Sequence, residues 1–349
     1  MRTRTFKEDY RDLVRLLPER TSWSWYVALM AGLGILPWIA PSYIVSYAIL
    51  ILIAAVGAIG LNIITGSAGL ISLGHAGFLA IGAYCTGILI TDHGWGIVPA
   101  MIASGVAAGL ASIVIGVPSL RLKGLYLAIT TLAFSIIVTQ LILEFDGLTG
   151  GSSGKAVGRP DILGIPMRSG TSIYYLALVT CILVALGALN LLRSKVGRAW
   201  GALRDYDIAA SLMGVDVKRY KLLAFAVSSF VIGIAGSLLA LHLRYLNVDS
   251  FTLLTSIEAI AMIIVGGLGS VRGAILGAVV ITLLPDVSRQ LMQLVGGPAV
   301  SPAAIAEVKG LIYGLVIMLF LRLEPDGLAA RWNYVKRFWI EWPLSKRAG

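Results

Sequence analysis

Ten apolar stretches recur along this 349-residue chain, at roughly 23–41, 43–65, 76–91, 96–118, 125–143, 173–192, 222–243, 252–270, 273–285 and 303–321. A helix rises 1.5 Å per residue, so ~20 apolar residues match the ~30 Å hydrocarbon layer of a bilayer. Recurrence at that length makes lipid the main solvent of the chain. Composition agrees: hydrophobic residues are 58% of the total and charged residues 13%, about half the ~25% of a soluble domain. A soluble globule of this size has no interior large enough for so much apolar surface. A disordered chain, a secreted disulfide scaffold and nearly every soluble enzyme fold are excluded. The expected class is an all-α polytopic membrane protein with about ten transmembrane helices.

The net charge is +10, and its placement argues for topology. With a cytoplasmic amino terminus, ten spans return the carboxyl terminus to the cytoplasm and assign every connection a side. Inside then fall six basic residues of segment 1–22, Arg121 and Lys123, seven in 193–221, Arg272, and six from Arg322 onward, 22 in all. Outside fall five, Lys155, Arg159, Arg168, Arg244 and Arg289, with Lys309 inside a span. Cytoplasmic connections carry the excess of Lys and Arg in membrane proteins, so the basic balance needs no nucleic acid partner. The chain divides into a cytoplasmic segment 1–22, a transmembrane unit 23–322 and a cytoplasmic basic tail 323–349. Within the unit lie an inside loop at 193–221 and an outside loop at 144–172. The polar start is too long for the basic region of a cleavable signal peptide, and Trp23, Trp25 and Trp38 suit interfacial anchoring.

Two places interrupt the apolar pattern with glycine. One runs from Thr65 through Gly66, Gly69 and Gly74 to His75 and Gly77; the other is Gly266-Gly267-Leu268-Gly269-Ser270-Val271-Arg272-Gly273. Both close an inward span and open an outward one, and similar text follows each, Gly77-Phe78-Leu79-Ala80-Ile81-Gly82-Ala83 beside Gly273-Ala274-Ile275-Leu276-Gly277-Ala278. Non-helical backbone at membrane depth survives only where protein buries it or water lines it. Matched broken segments therefore mark either a translocation pathway or glycine turns that let helices pack closely. Asn62, Thr65 and His75 could line such a pathway or satisfy freed backbone groups.

Glu258, within an apolar span, is a functional candidate because an ionisable group there is costly; it could meet a substrate ammonium or pair with Arg244 or His242. Gln140, Glu144 and Asp146 gather at an outer mouth, as a solvated rim or a docking surface. Cys85 and Cys181 sit in apolar runs and read as structural, and His75, His93 and His242 lack metal-ligand spacing. Gly150-Gly151-Ser152-Ser153-Gly154-Lys155-Ala156 only superficially resembles a nucleotide-binding loop. It is one residue short between its glycines and has Ala156 where Ser or Thr must hold Mg²⁺.

The inside loop from Trp200 to Met213 has no proline, good helix formers and a stop at Gly214, which predicts one short amphipathic helix. Ala209, Ala210 and Met213 fall on one side with Leu212 near them, and Arg204, Asp205 and Asp207 can serve the rim of a docking groove. Ala209-Ala210 followed by Gly214 resembles the EAA-type coupling loop of ABC importer permeases, with Ile208 in place of the motif's acidic residue and Asp207 one position earlier. Four strings extend the likeness: 66–78, Gly124 to Leu132, Gly197-Arg198-Ala199-Trp200 through Gly214, and Ser256-Ile257-Glu258 with Gly266 to Ser270. Together, over about 43–321, they are similar to the branched-chain amino acid ABC permeases, and more closely to their LivM-type subunit.

The resemblance implies a permease of the inner membrane and no catalytic residue in this chain. It implies a homologous second permease, two cytosolic ATP-binding subunits that hold ATP and Mg, and a periplasmic substrate-binding protein on the side of loop 144–172. Leucine, isoleucine and valine are the expected cargo, with urea, short amides or other amino acids carried by related permeases. Coupling would run through Arg204, Asp207, Ala209, Ala210, Met213 and Gly214. Pathway candidates are Asn62, Thr65, Gly66, Gly69, His75, Glu258, Gly266, Gly267 and Gly269. A gradient-driven secondary transporter, the rival class, calls for paired carboxylates or a proton relay at mid-membrane, and Glu258 has no obvious acidic partner in the sequence.

Overall fold

The computed structural model describes residues 20–119, 122, 124–158, 161–162, 165–166, 170–296, 314–315, 317–320, 322, 327–332 and 334. Nearly all of the N-terminal segment, Arg121, Lys123, Arg159, Arg168, most of the tenth apolar stretch and most of the basic tail lie outside the described residues. The chain forms helices α1 (Arg20–Ile39), α2 (Ser42–Asn62), α3 (His75–Thr91), α4 (Ile97–Ser119), α5 (Leu125–Glu144) and α6 (Gly170–Arg193). The inside loop holds α7 (Lys195–Asp205) and α8 (Asp207–Leu212), followed by α9 (Val217–Leu243), α10 (Leu253–Gly266) and α11 (Val271–Gly296). Among the described residues, six helices are long and apolar enough to cross a bilayer, and Val27–Ile39 and His75–Thr91 are shorter apolar helices. The fold is an all-α polytopic membrane protein.

Helix α9 is the axis of the bundle, packed against α2, α3 and α4. Glycines permit the close approach. A methyl on Gly236 would lie 2.9 Å from the Ala83 nitrogen, and one on Gly233 2.9 Å from the Ser104 carbonyl. Without side chains at such points, helices gain van der Waals contact that lipid cannot supply. Where α3, α4 and α9 meet, the buried Thr86 hydroxyl bonds to those of Ser104 and Ser237, with Thr86 Oγ1 2.6 Å from Ser104 Oγ. Interhelical polar contacts of this kind contribute about 0.6 kcal/mol each on average.

Pro37 sits inside α1 and has no N–H to offer the Leu33 carbonyl one turn back. The Tyr174 hydroxyl of α6 donates to that carbonyl at 2.7 Å, and Tyr175 donates to the Gly34 carbonyl at 2.8 Å. A proline in a membrane helix is thus accommodated by a neighbouring helix that re-satisfies the freed acceptor.

Connections gather at two ends. At one end, Lys155–Ala156 pairs antiparallel with Tyr245–Leu246, Lys155 bonds to Asp92 at 2.7 Å, and the Gly158 N–H donates to Thr91 at 3.0 Å. The opposite end carries the 62–74 and 266–271 connections together with α7 and α8.

Two expectations are corrected. The helix expected over Trp200–Met213 is two helices, because Tyr206, at φ −160° and ψ 99°, leaves helical geometry between α7 and α8. The stretch expected to end near 285 continues as α11 to Gly296, with Pro285 inside it.

Candidate functional site

The two glycine-rich interruptions meet in space. α2 ends at Asn62 and widens into a π turn over Ile63–Ser67, after which the chain runs non-helically to α3. Asn62 is buried, and its carboxamide serves the other interruption: Oδ1 accepts from the Gly269 N–H and Nδ2 donates to the Ser270 carbonyl, both at 2.9 Å. Gly66 must lack a side chain because Asn62 Oδ1 and the Gly269 nitrogen fill the place of its Cβ. Gly269 holds φ +78°, a left-handed conformation that suits glycine.

The interruptions differ in depth. Gly267–Ser270 is a tight turn in which Ser270 Oγ accepts from the Gly273 N–H at 3.1 Å. Residues 68–74 instead climb into the bundle, and α3 starts where the Ala76 N–H donates to Ser256 Oγ of α10 at 3.0 Å. Ten residues of α10 separate Ser256 from Gly266 near the Asn62 clamp, about 15 Å at 1.5 Å per residue. His75 therefore stands about that far along the bundle from the clamp, buried, with Nδ1 lacking a hydrogen-bond partner among the described residues.

Side chains satisfy the climbing backbone. Thr131 Oγ1 of α5 accepts from the Leu73 N–H at 2.9 Å, Ser72 Oγ from the Gly74 N–H at 3.3 Å, and Thr65 donates to the Leu70 carbonyl at 3.2 Å. In hydrocarbon each group left unpaired would cost several kcal/mol. Asn62 and Thr65 thus do the backbone work open to them from sequence. Ser256 and Thr131 stand in strings that carried the family resemblance, yet nothing in the sequence assigned them partners 180 and 58 residues away.

The inside loop packs directly beneath. Ser194 caps α7 by accepting from the Val196 N–H, and α7 buries Ala199, Trp200 and Leu203, with Trp200 Nε1 donating to the Tyr220 carbonyl at 2.9 Å. From its last turn, Arg204 Nη1 donates to the Gly66 carbonyl at 2.7 Å. Asp207 starts α8 and lies 3.5 Å from Lys221 Nζ of α9, while Ala210 is buried and Gly214, at φ +86°, follows the helix end. Ala209 faces out, and Leu212 and Met213 are 84% and 86% exposed, with Ile208 also exposed. A cavity of about 340 Å³ is lined by Ala68–Leu70, Gly124, Leu203–Ile208 and Lys221.

Asn62, Gly66, Gly69, Gly269 and Arg204 come together. Gly266 packs on the Gly273 backbone and Gly267 on Gly327. Glu258 lies apart, half-buried in α10 two residues beyond Ser256. The loop at Gly150–Lys155 leads into a strand, not a helix, and its lysine is held by Asp92 and the Leu148 carbonyl, unlike a phosphate-cradling loop. Gln140, Glu144 and Asp146 are exposed at the same end.

A protein family described as the branched-chain amino acid transport system permease component matches residues 43–321. The chain is 33% identical over 326 residues to the high-affinity branched-chain amino acid transport system permease protein LivM of Escherichia coli K12, covering 86% of this chain and 73% of that protein. To LivM of Salmonella typhimurium it is 34% identical over 294 residues, covering 77% of this chain and 66% of that relative. It is also 23% identical over 290 residues to the permease protein LivH of Escherichia coli K12, covering 78% and 90%.

Proposed function

The chain belongs to the family of permease components of branched-chain amino acid transport systems, and on that footing we propose that it is a LivM-type subunit importing leucine, isoleucine and valine. It has no catalytic role; hydrolysis occurs in separate ATP-binding subunits. Its proposed partners are a homologous permease, two cytosolic ATPases and a periplasmic binding protein. Detectable similarity to both LivM and LivH, which carry the same transport-system name, supports a pair of related permeases.

The observation that carries this function is the placement of α7 and α8. They leave apolar Ile208, Leu212 and Met213 exposed while Arg204 is bonded to the interrupted segment. An exposed apolar end on a six-residue helix suits docking by another protein, and the link inward suits transmission of that partner's movement. The end bearing α7 and α8 also carries Arg193, Lys195, Arg198, Lys218, Arg219 and Arg272, which supports a cytoplasmic location and cytoplasmic termini. Ten crossings in the inner membrane follow if 303–321 spans. The pathway would pass the Asn62–Gly269 junction and His75, with Glu258 two residues from Ser256 on the junction side.

Uptake of labelled leucine and labelled urea in a strain lacking the locus, with and without this chain, tests the assignment. Restored, ATP-dependent leucine uptake supports it. Urea uptake alone would move the cargo to the short-amide class, and uptake independent of ATP would overturn the importer mechanism.

A further inference from the structure

Arg204 stands where three pieces of chain converge. It belongs to the last turn of α7, and its Nη1 donates to the Gly66 carbonyl at 2.7 Å. A methyl on Gly269 would lie 2.9 Å from that same nitrogen, and one on Gly69 3.1 Å from Arg204 Cα. The arginine, exposed on its outer side, therefore rests against three glycines, two from the first interruption and one from the second. Asn62 holds those interruptions together through the Gly269 N–H and the Ser270 carbonyl.

The Gly66 carbonyl needs a donor. The Leu70 N–H, one turn on, bonds instead to Ile64, because the chain leaves helical geometry there. A cation at a helix C-terminus is favoured by the dipole, and a charged donor makes a shorter, stronger bond than a neutral one. Capping alone, however, does not require the capping residue to come from the docking loop.

We infer that Arg204 is a positioning residue for transport: it ties α7 and α8 to the Asn62-clamped junction so that loop and junction shift as one body. The inference rests on the coupling function proposed above. Without the tie, the ATPases would move the loop while the junction stays in place, and hydrolysis would run without import. A purely capping role predicts something else, a less stable protein whose hydrolysis and uptake decline together.

The test uses the whole complex, this chain with its partner permease, ATPase subunits and binding protein, in proteoliposomes. Labelled leucine uptake and ATP hydrolysis are measured in the same vesicles. Arg204→Ala is expected to keep hydrolysis within about twofold while leucine moved per ATP falls about tenfold, equivalent to ~1.4 kcal/mol. Arg204→Lys keeps the charge but not the planar fork, and falls between. An unchanged ratio in Arg204→Ala, whether both rates fall or neither does, overturns the tie. If Arg204→Ala does not assemble, the ratios of Arg204→Lys and Arg204→Gln decide in the same way. An unmodified complex without ATP-driven leucine uptake would overturn the proposed function and the tie with it; an unchanged ratio in a working complex overturns the tie alone.

Discussion

Asn62 and Gly269 are 207 residues apart in sequence, and a single carboxamide joins them, Oδ1 accepting from the Gly269 N–H at 2.9 Å while Nδ2 reaches the Ser270 carbonyl. An asparagine suits this place because it offers an acceptor and a donor side by side. It can satisfy an N–H and a C=O of one half-buried turn at once.

Asn62→Ala is therefore expected to lower thermal stability, by at most about 1–3 kcal/mol for each of the two half-buried groups it leaves unpaired. Asn62→Asp should be as damaging or worse, because it keeps the acceptor, removes the donor to Ser270 and puts a carboxylate in a buried site. Melting of the purified protein in detergent measures both. Tolerance of either substitution would show that the clamp contributes little to the junction.

The re-entrant segment yields a different prediction. Ser256→Ala and Thr131→Val each remove the acceptor for one N–H, Ala76 and Leu73 respectively. Each should destabilise by about 1–3 kcal/mol and speed amide exchange at the start of α3. Co-purification with the ATPase subunits should be unaffected, since neither side chain is near α8. Amide exchange by mass spectrometry reads the local effect, and equal exchange in variant and parent would contradict it.

Tyr174 and Pro37 are expected to be coupled energetically through the Leu33 carbonyl. Tyr174→Phe alone leaves that acceptor unpaired and should cost about 1 kcal/mol or more. Pro37→Ala supplies a backbone N–H to the same carbonyl, so Tyr174→Phe should cost less in that background. A double-mutant cycle on melting temperature detects the difference, and additive effects would refute the coupling.

Apolar length made the membrane class legible in sequence, and matched glycine runs singled out the two interruptions as a pair. Their joining by Asn62 was not legible, because hydrogen bonds across 207 residues leave no periodic trace. The difference in depth was equally hidden: both interruptions are glycine-rich in the same way, and the hydroxyls of Ser256, Thr131, Ser72 and Thr65 satisfy the climbing backbone of the first. Helix propensity over 200–213 is uniform enough to predict one helix. Tertiary contacts split it, as Trp200 and Leu203 bury α7 while the Lys221–Asp207 contact ties the start of α8 to α9.

The exposed side of α8 separates docking from folding. Ala209 faces away from the bundle, so Ala209→Trp has room without disturbing the core, and membrane insertion and melting temperature should stay near those of the parent. Uptake and ATPase binding should be abolished, because a bulky ring at that place holds a docking partner off the backbone. Gly214→Val adds backbone strain at φ +86°, on the order of 1–2 kcal/mol for a residue with a Cβ, and should disturb the α8–α9 connection as well as docking. Comparing the two in one uptake and co-purification assay distinguishes a blocked surface from a distorted loop. Undiminished transport by Ala209→Trp would remove α8 from the docking surface.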